Sequence, residues 1–228
     1  MANPNTKRIN HYSTRDFVYE TVRARIMDLK LLPGSSISEK EIAEELEVSR
    51  TPVREAFLKL SQDDLLEIRP QKGSFVTFID LDHVEDARFI REHLEVGAVR
   101  LACETMQESV LEDLEVNLAM QQAMKQAKKE EQMFELDQEF HRLIALGCKK
   151  ERVWEVVQQM NSHLKRLLKL SLVSHYNWET LVLHHQDIFE AVKAKDAERA
   201  EAIMREHLRL VSVDQYELKK EHPDYFNA

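Results

Sequence analysis

Four side chains in the second half of the chain have the types and spacing to hold a divalent cation. Asp137 and His141 stand four residues apart, which places both on one face of a helix. His185, preceded by His184, falls in a later helical run, and His207 falls in the last. Aimed at one point, one carboxylate and three imidazoles suit a borderline ion such as zinc, nickel or manganese. Open coordination positions would take water or an organic acid. A plainer reading competes: surface or singly hydrogen-bonded histidines, because ten histidines in 228 residues give chance patterns. Arg91 also has two readings. Facing inward, it is a bidentate clamp for a ligand carboxylate; facing outward, it pairs with Glu95 four residues on. Trp154 and Trp178 read as packing anchors, Cys148 as structural, and His163 has no partner pattern. No Ser/His/Asp arrangement, glycine-rich phosphate loop or HExxH pattern occurs, so no catalytic centre is expected.

A second chemistry lies in the first third. The stretch Ser38 to Arg54 reads SEKEIAEELEVSRTPVR. Ser38 with Glu41 is a capping-box pattern, and Ile42, Ala43 and Leu46 give that helix an inner face. Glu47-Val48 makes a turn, Ser49 starts the next helix, and Pro52 sits in its first turn, where a missing N–H costs nothing. That helix opens on hydroxyl and guanidinium groups, the chemistry of a first turn facing phosphates and base edges. The competing reading is a small bundle with charged solvent faces.

The elements that must position these groups follow from pattern. Ser13 and Thr14 can cap a first helix running to about Lys30, with Phe17, Val18, Val22, Ile26 and Leu29 on one side. Ile37 fits a short extended segment. Leu65–Arg69 and Ser74–Phe78 flank Pro70-Gln71-Lys72-Gly73 and read as a hairpin. Three helices and a hairpin make a winged helix-turn-helix over residues 1–79, with a basic tip able to reach a flanking groove. From Leu81 the pattern is helical throughout: 81–106, 109–129, 131–146, 150–174, 178–194 and 196–219. Ser109 with Glu112, and Asp196, are the expected caps. The fold class is mainly α, with residues 80–228 forming one antiparallel all-helical bundle, large enough for a cavity.

Net charge is −9, which opposes nucleic-acid binding at first sight. Residues 1–79 are neutral, with 12 cations and 12 carboxylates, so the whole excess lies in the bundle. Phosphate attraction depends on local charge, and Arg50, Arg54, Lys59, Arg69 and Lys72 cluster. Two cysteines, Cys103 and Cys148, in no paired ligand spacing fit a reducing compartment and no disulfide framework. No signal-peptide pattern opens the chain and no run approaches about 18 apolar residues, so cytoplasm is expected and no membrane contact.

The chain resembles GntR-type bacterial transcriptional regulators of the FadR-like branch with an FCD ligand-binding domain. The resemblance rests on the SEKEIAEELEVSRTPVREAFLKL stretch with the RPQKGSFV wing, and on LDQEFH at 136–141 with HHQDIFEAVKAKDAERAEAIMREHL at 184–208. It implies a homodimer on inverted-repeat double-stranded DNA. It implies that Arg50 and Arg54 contact bases or phosphates, that Ser49 and Thr51 position the backbone, and that Lys40, Lys72 and the wing-tip Gly73 add contacts. It places Asp137, His141, His185 and His207 on the family's metal-ligand pattern, and Arg91, in REHLE, on an effector-carboxylate contact. The implied effector is a small organic acid. Two glycines usual in the family are Glu47, in the helix-turn-helix turn, and Asp64, before the wing. The expected function is an effector-gated regulator, a repressor more often than an activator. Two alternatives are a regulator that answers to the metal alone and an organic-acid metalloenzyme.

Overall fold

The computed structural model describes residues 13–173 and 178–227. The chain forms two compact units, the first ending at Thr77 and the second beginning at Phe78.

The first unit has helices α1 (Thr14–Met27), α2 (Glu39–Glu45) and α3 (Arg50–Gln62), and strands β1 (Ser36–Ile37), β2 (Leu66–Arg69) and β3 (Gly73–Val76). Val18, Val22 and Ile26 of α1 share one core with Val53, Phe57 and Leu60 of α3 and Leu66 and Val76 of the sheet. Caps set the helix starts. Ser13 accepts from the N–H of Asp16, and Ser38 from those of Lys40 and Glu41. Ser49 stands at the N-cap of α3 but makes no side-chain cap bond. The sheet has three antiparallel strands in the order β1-β3-β2, one more than the expected hairpin, because Ile37 pairs with Ser74. Helix α1 stops at Met27, short of the expected Lys30. Leu29 turns left-handed, and Lys30 N–H bonds back to Arg25 O. Phe17, expected inside, is exposed, and Tyr19 takes a buried place.

The second unit is all helical: α4 (Leu81–Thr105), α5 (Glu108–Ala127), α6 (Glu130–Gly147), α7 (Glu151–Gln159), α8 (Ser162–Val173), α9 (Trp178–Lys193) and α10 (Ala197–Glu221). Helix α4 packs on α10 and α6, and α5 packs on α6 and α9. Val99, Leu114, Phe140, Ile188 and Met204 lie in the shared core. Two expectations are corrected. The single helix over 150–174 is two helices, because Met160 closes α7 and Asn161 O accepts from Lys165 N at the start of α8; residue 174 itself lies outside the described residues. Ser109 does not cap α5, which begins a residue earlier after Gln107, so the hydroxyl falls inside the first turn. Asp196 does cap α10, accepting from Arg199 N–H.

The end of α10 leads back to the start of this unit. After a short 3-10 turn at Pro223–Tyr225, Phe226 bridges in parallel to Ile79, with Ile79 N–H donating to Tyr225 O at 2.8 Å. Both side chains are buried, which draws Phe78 and Ile79 into the helical unit. No described helix is long and apolar enough to cross a membrane.

Candidate metal centre and nucleic-acid interface

Three helices bring together the four residues with ligand chemistry. Asp137 and His141 project from α6, His185 from α9 and His207 from α10, and all four are buried. One ligand atom of each lies within 4.8 Å of all the others. His141 Nε2 and His207 Nε2 are 3.0 Å apart, and His185 Nε2 and His207 Nε2 are 3.2 Å apart. Asp137 Oδ1 is 3.9 Å from His141 Nε2 and 3.7 Å from His185 Nε2. Nitrogens about 2.0–2.1 Å from a common cation stand roughly 3 Å from one another, so the spacing fits a bound ion. A divalent ion would satisfy three imidazole lone pairs and a carboxylate at once. Burial, foremost, and the neighbouring cations push His185 and His207 well below the ordinary histidine value. Both rings are therefore neutral, as ligation requires.

The surrounding groups are as ordered as the four ligands. Arg91 points inward, and its Nε donates to Glu95 Oε1 at 2.6 Å. The pair read from spacing as a surface alternative thus exists, but it is buried. Glu95 Oε2 lies 2.6 Å from His141 Nδ1, at ion-pair distance though off the hydrogen-bond axis. Burial alone would raise the Glu95 carboxyl; Arg91 and His141 outweigh it and hold it well below the usual carboxylate range. Arg91 Nη2 and His207 Nδ1 are buried and without a hydrogen-bond partner. On the other side His185 Nδ1 meets Gln121 Oε1 at 2.8 Å, and the His185 ring stacks on Phe140 with centroids 4.0 Å apart. His184 is half-buried, its ring 6.1 Å from that of His207 and outside the four-residue cluster. Trp154 stacks over His141, while Trp178 packs with Met133 and Val182. Helices α4 and α10 are tied by Glu92, which accepts from Arg209, Arg205 and Arg88; Arg209 foremost holds its carboxyl down to about 2.

Sequence spacing missed Glu95 as a partner of His141, and it missed Asn117 and Gln121. A signal was present. Positions 114, 117, 118 and 121 form one helical stripe, and two of them are polar and buried. His163, without a partner pattern in sequence, is buried too. Its Nδ1 accepts from Asp80 N–H at 3.0 Å and lies 3.1 Å from Arg166 Nη2, which reaches Phe78 O. Burial, with Arg166 beside it, pushes His163 down to about 3.

In the first unit, Lys40, Ser49, Arg50, Thr51, Arg54, Lys72 and Gly73 are all exposed. Arg50 and Arg54 lie one turn apart at the start of α3. The expected cationic cluster is smaller than its residue list. Lys59 Nζ sits over the Tyr19 ring, and Arg69 is bound to Glu67 and stacked on Phe75. A groove of about 420 Å³ runs between the start of α2 and the wing, lined by Ser38, Lys40, Arg69, Gln71 and Gly73 among others. Glu47 and Asp64 both lie at positive φ.

A winged three-helix head is followed by a helical bundle with a buried Asp/His cluster, and the sequence relationships of both parts are those of a DNA-binding transcriptional regulator. The chain belongs to the GntR family of regulators with an FCD domain. Residues 14–76 match "Bacterial regulatory proteins, gntR family" and residues 86–210 match the FCD domain. The transcriptional repressor RspR of Escherichia coli is 33% identical over 210 residues, 92% of each chain. The Nta operon transcriptional regulator of Aminobacter aminovorans is 32% identical, over 68% of this chain and 70% of that one. Among solved structures, E. coli McbR/YncC superposes with a TM-score of 0.76 at 23% identity, covering 92% of this chain and 99% of the other. At that identity the likeness concerns the fold alone.

Proposed function

We propose that this chain is a cytoplasmic, homodimeric repressor that releases an inverted-repeat operator when a small organic acid binds beside a divalent metal in the helical unit. The observation that carries the metal part is the convergence of Asp137, His141, His185 and His207 within 4.8 Å. Zinc or nickel suits three imidazoles and one carboxylate, and manganese is the third candidate. A bound ion would supply a Lewis-acid anchor for a carboxylate oxygen. The chain's own groups do the rest. Arg91 carries a buried, unpartnered Nη2 suited to a second carboxylate oxygen. Arg50 and Arg54 meet base edges or phosphates from the start of α3, while Ser49 and Thr51 fix the backbone there. Lys40, Lys72 and Gly73 bring α2 and the wing tip to the flanking phosphates and groove. The repressor sense follows the name of RspR.

A thermal-shift screen of hydroxy acids, sugar acids and dicarboxylates on zinc- and nickel-loaded protein tests this reading. Operator binding is then measured with each hit. The expected result is a stabilising acid that lowers operator affinity. Operator binding that follows metal concentration without any acid would identify a metal-responsive regulator instead.

A further inference from the structure

The four ligand residues do not by themselves decide which nitrogen of each ring faces the ion. An imidazole has two, and presenting Nε2 requires the proton on Nδ1. Two separate groups around the cluster meet that requirement.

The first is a chain of hydrogen bonds whose polarity is fixed at one end. Leu136 O is a backbone carbonyl and can only accept. Asn117 Nδ2 donates to it at 3.1 Å, so Asn117 Oδ1 faces the other way. Gln121 Nε2 donates to that oxygen at 2.7 Å, which turns Gln121 Oε1 toward His185 Nδ1 at 2.8 Å. An amide oxygen can only accept, so His185 must carry its proton on Nδ1. Its Nε2 lone pair is then directed at His207 and Asp137. Gln121 is fully buried, so no solvent competes for this bond. The chain begins at Leu136, next to the ligand Asp137, so the two ligand helices are held in register by the same bonds.

The second is Glu95. One of its oxygens is taken by Arg91 Nε, and the other stands 2.6 Å from His141 Nδ1. Although this contact lies off the hydrogen-bond axis, a nitrogen lone pair 2.6 Å from a carboxylate oxygen would be repelled, so His141 also places its proton on Nδ1 and its lone pair on Nε2.

Resting on the metal reading above, we infer that Gln121, oriented by Asn117, and Glu95, oriented by Arg91, are positioning residues that lock His185 and His141 in the tautomer that ligates through Nε2. Neither stands among the four ligands; each touches one ligand ring at Nδ1 and acts only through it. Groups in this position commonly change metal affinity about ten- to a hundredfold.

The test uses the full chain with zinc as the probe. Zinc affinity is measured by competition with a chelating dye for the wild type, Gln121→Met and Glu95→Gln. Histidine nitrogens of the zinc-loaded wild type are assigned by ¹⁵N NMR. The expected spectrum shows Nδ1–H and zinc-bound Nε2 on His141 and His185. Each variant is expected to bind zinc about ten- to a hundredfold more weakly. Metal-free Gln121→Met is expected to show His185 as a mixture of tautomers, a change that a packing defect alone would not produce. Either ring bound through Nδ1 in the wild type overturns the inference even if a variant fails to fold. Wild-type zinc affinity in both variants overturns it too and leaves the metal reading standing. A wild type that takes up no zinc overturns both.

Discussion

Glu47 and Asp64 share one backbone conformation, each at positive φ (55° and 54°) directly after the last turn of a helix. The bonds around them match as well. Val48 N–H returns to Ala43 O after α2, and Leu65 N–H returns to Leu60 O after α3. This is the closure that usually takes glycine, because a Cβ is strained there. Both side chains are exposed, so no packing contact accounts for the choice. Glu47→Gly is expected to raise stability by about 0.5–1 kcal/mol, the relieved strain less the greater freedom of unfolded glycine. Asp64→Gly should gain less, since Asp tolerates this conformation better than Glu. Urea midpoints of the two variants check both the sign and the order; a loss at Glu47 would show that its side chain has a partner in the folded chain.

Arg54 is exposed and ends no buried network, so its removal tests recognition without disturbing the fold. Arg54→Ala is expected to weaken operator binding by about 1–3 kcal/mol at fixed salt if it reads a base. The melting temperature should stay within error. Gel-shift titration at two salt concentrations separates the roles. A phosphate contact lowers the salt slope, whereas a base contact changes sequence preference. Unaltered affinity would remove Arg54 from the interface.

Metal removal should cost stability in proportion to affinity. At a hundredfold excess over its Kd a bound ion stabilises by about 2.7 kcal/mol. The melting temperature of the native protein should therefore fall on treatment with a chelator and recover with zinc or nickel. The double variant His141→Ala, His207→Ala should carry no metal in elemental analysis and ignore the chelator. Metal retained by that variant would place the ion elsewhere.

His163 gives a pH dependence with a definite sign. Burial and Arg166 push it from 6.5 down to about 3, so it is neutral in the folded chain. Below pH 6.5 the unfolded chain binds a proton that the folded chain does not. Stability is thus fully present above about 6.5 and is lost as pH falls toward 3, by roughly 1.4 kcal/mol per pH unit for one proton. His185 and His207 add slopes of the same sign in metal-free protein. His163→Gln should make the slope between pH 4 and 6 shallower by one proton, measured by urea unfolding in the presence of chelator. Equal slopes would mean that His163 takes up its proton without unfolding.

The parallel pairing of Phe226 with Ile79 can be tested by truncation. Ile79 N–H donates to Tyr225 O, and the Ile79 and Phe226 side chains are both buried. Removing residues 222–228 should raise hydrogen exchange at the Ile79 amide at least tenfold while the α3 amides keep their protection. Unchanged exchange would show that another group holds this amide.

Much of this protein was determined by local sequence. Hydroxyl and carboxylate caps at Ser13, Ser38 and Asp196 fix helix starts, because a cap needs only the next three residues. The i,i+4 spacing of Asp137 and His141 puts both on one face, and apolar periodicity marks the shared cores. Helix ends were less legible. The chain has four glycines, and Leu29, Lys128, Lys149 and Lys195 close helices at positive φ alongside Glu47 and Asp64, so the usual end signal is missing. The break at Asn161 was hidden for a similar reason, since apolar residues continue on both sides of it. What only the tertiary structure decided was the convergence. Nothing local to residue 121 says that its amide meets the ring of residue 185, or that Glu95 faces both Arg91 and His141. Those contacts arise where α4, α5, α6, α9 and α10 pack together. There the burial that excludes water leaves each polar group dependent on a partner far away in the chain.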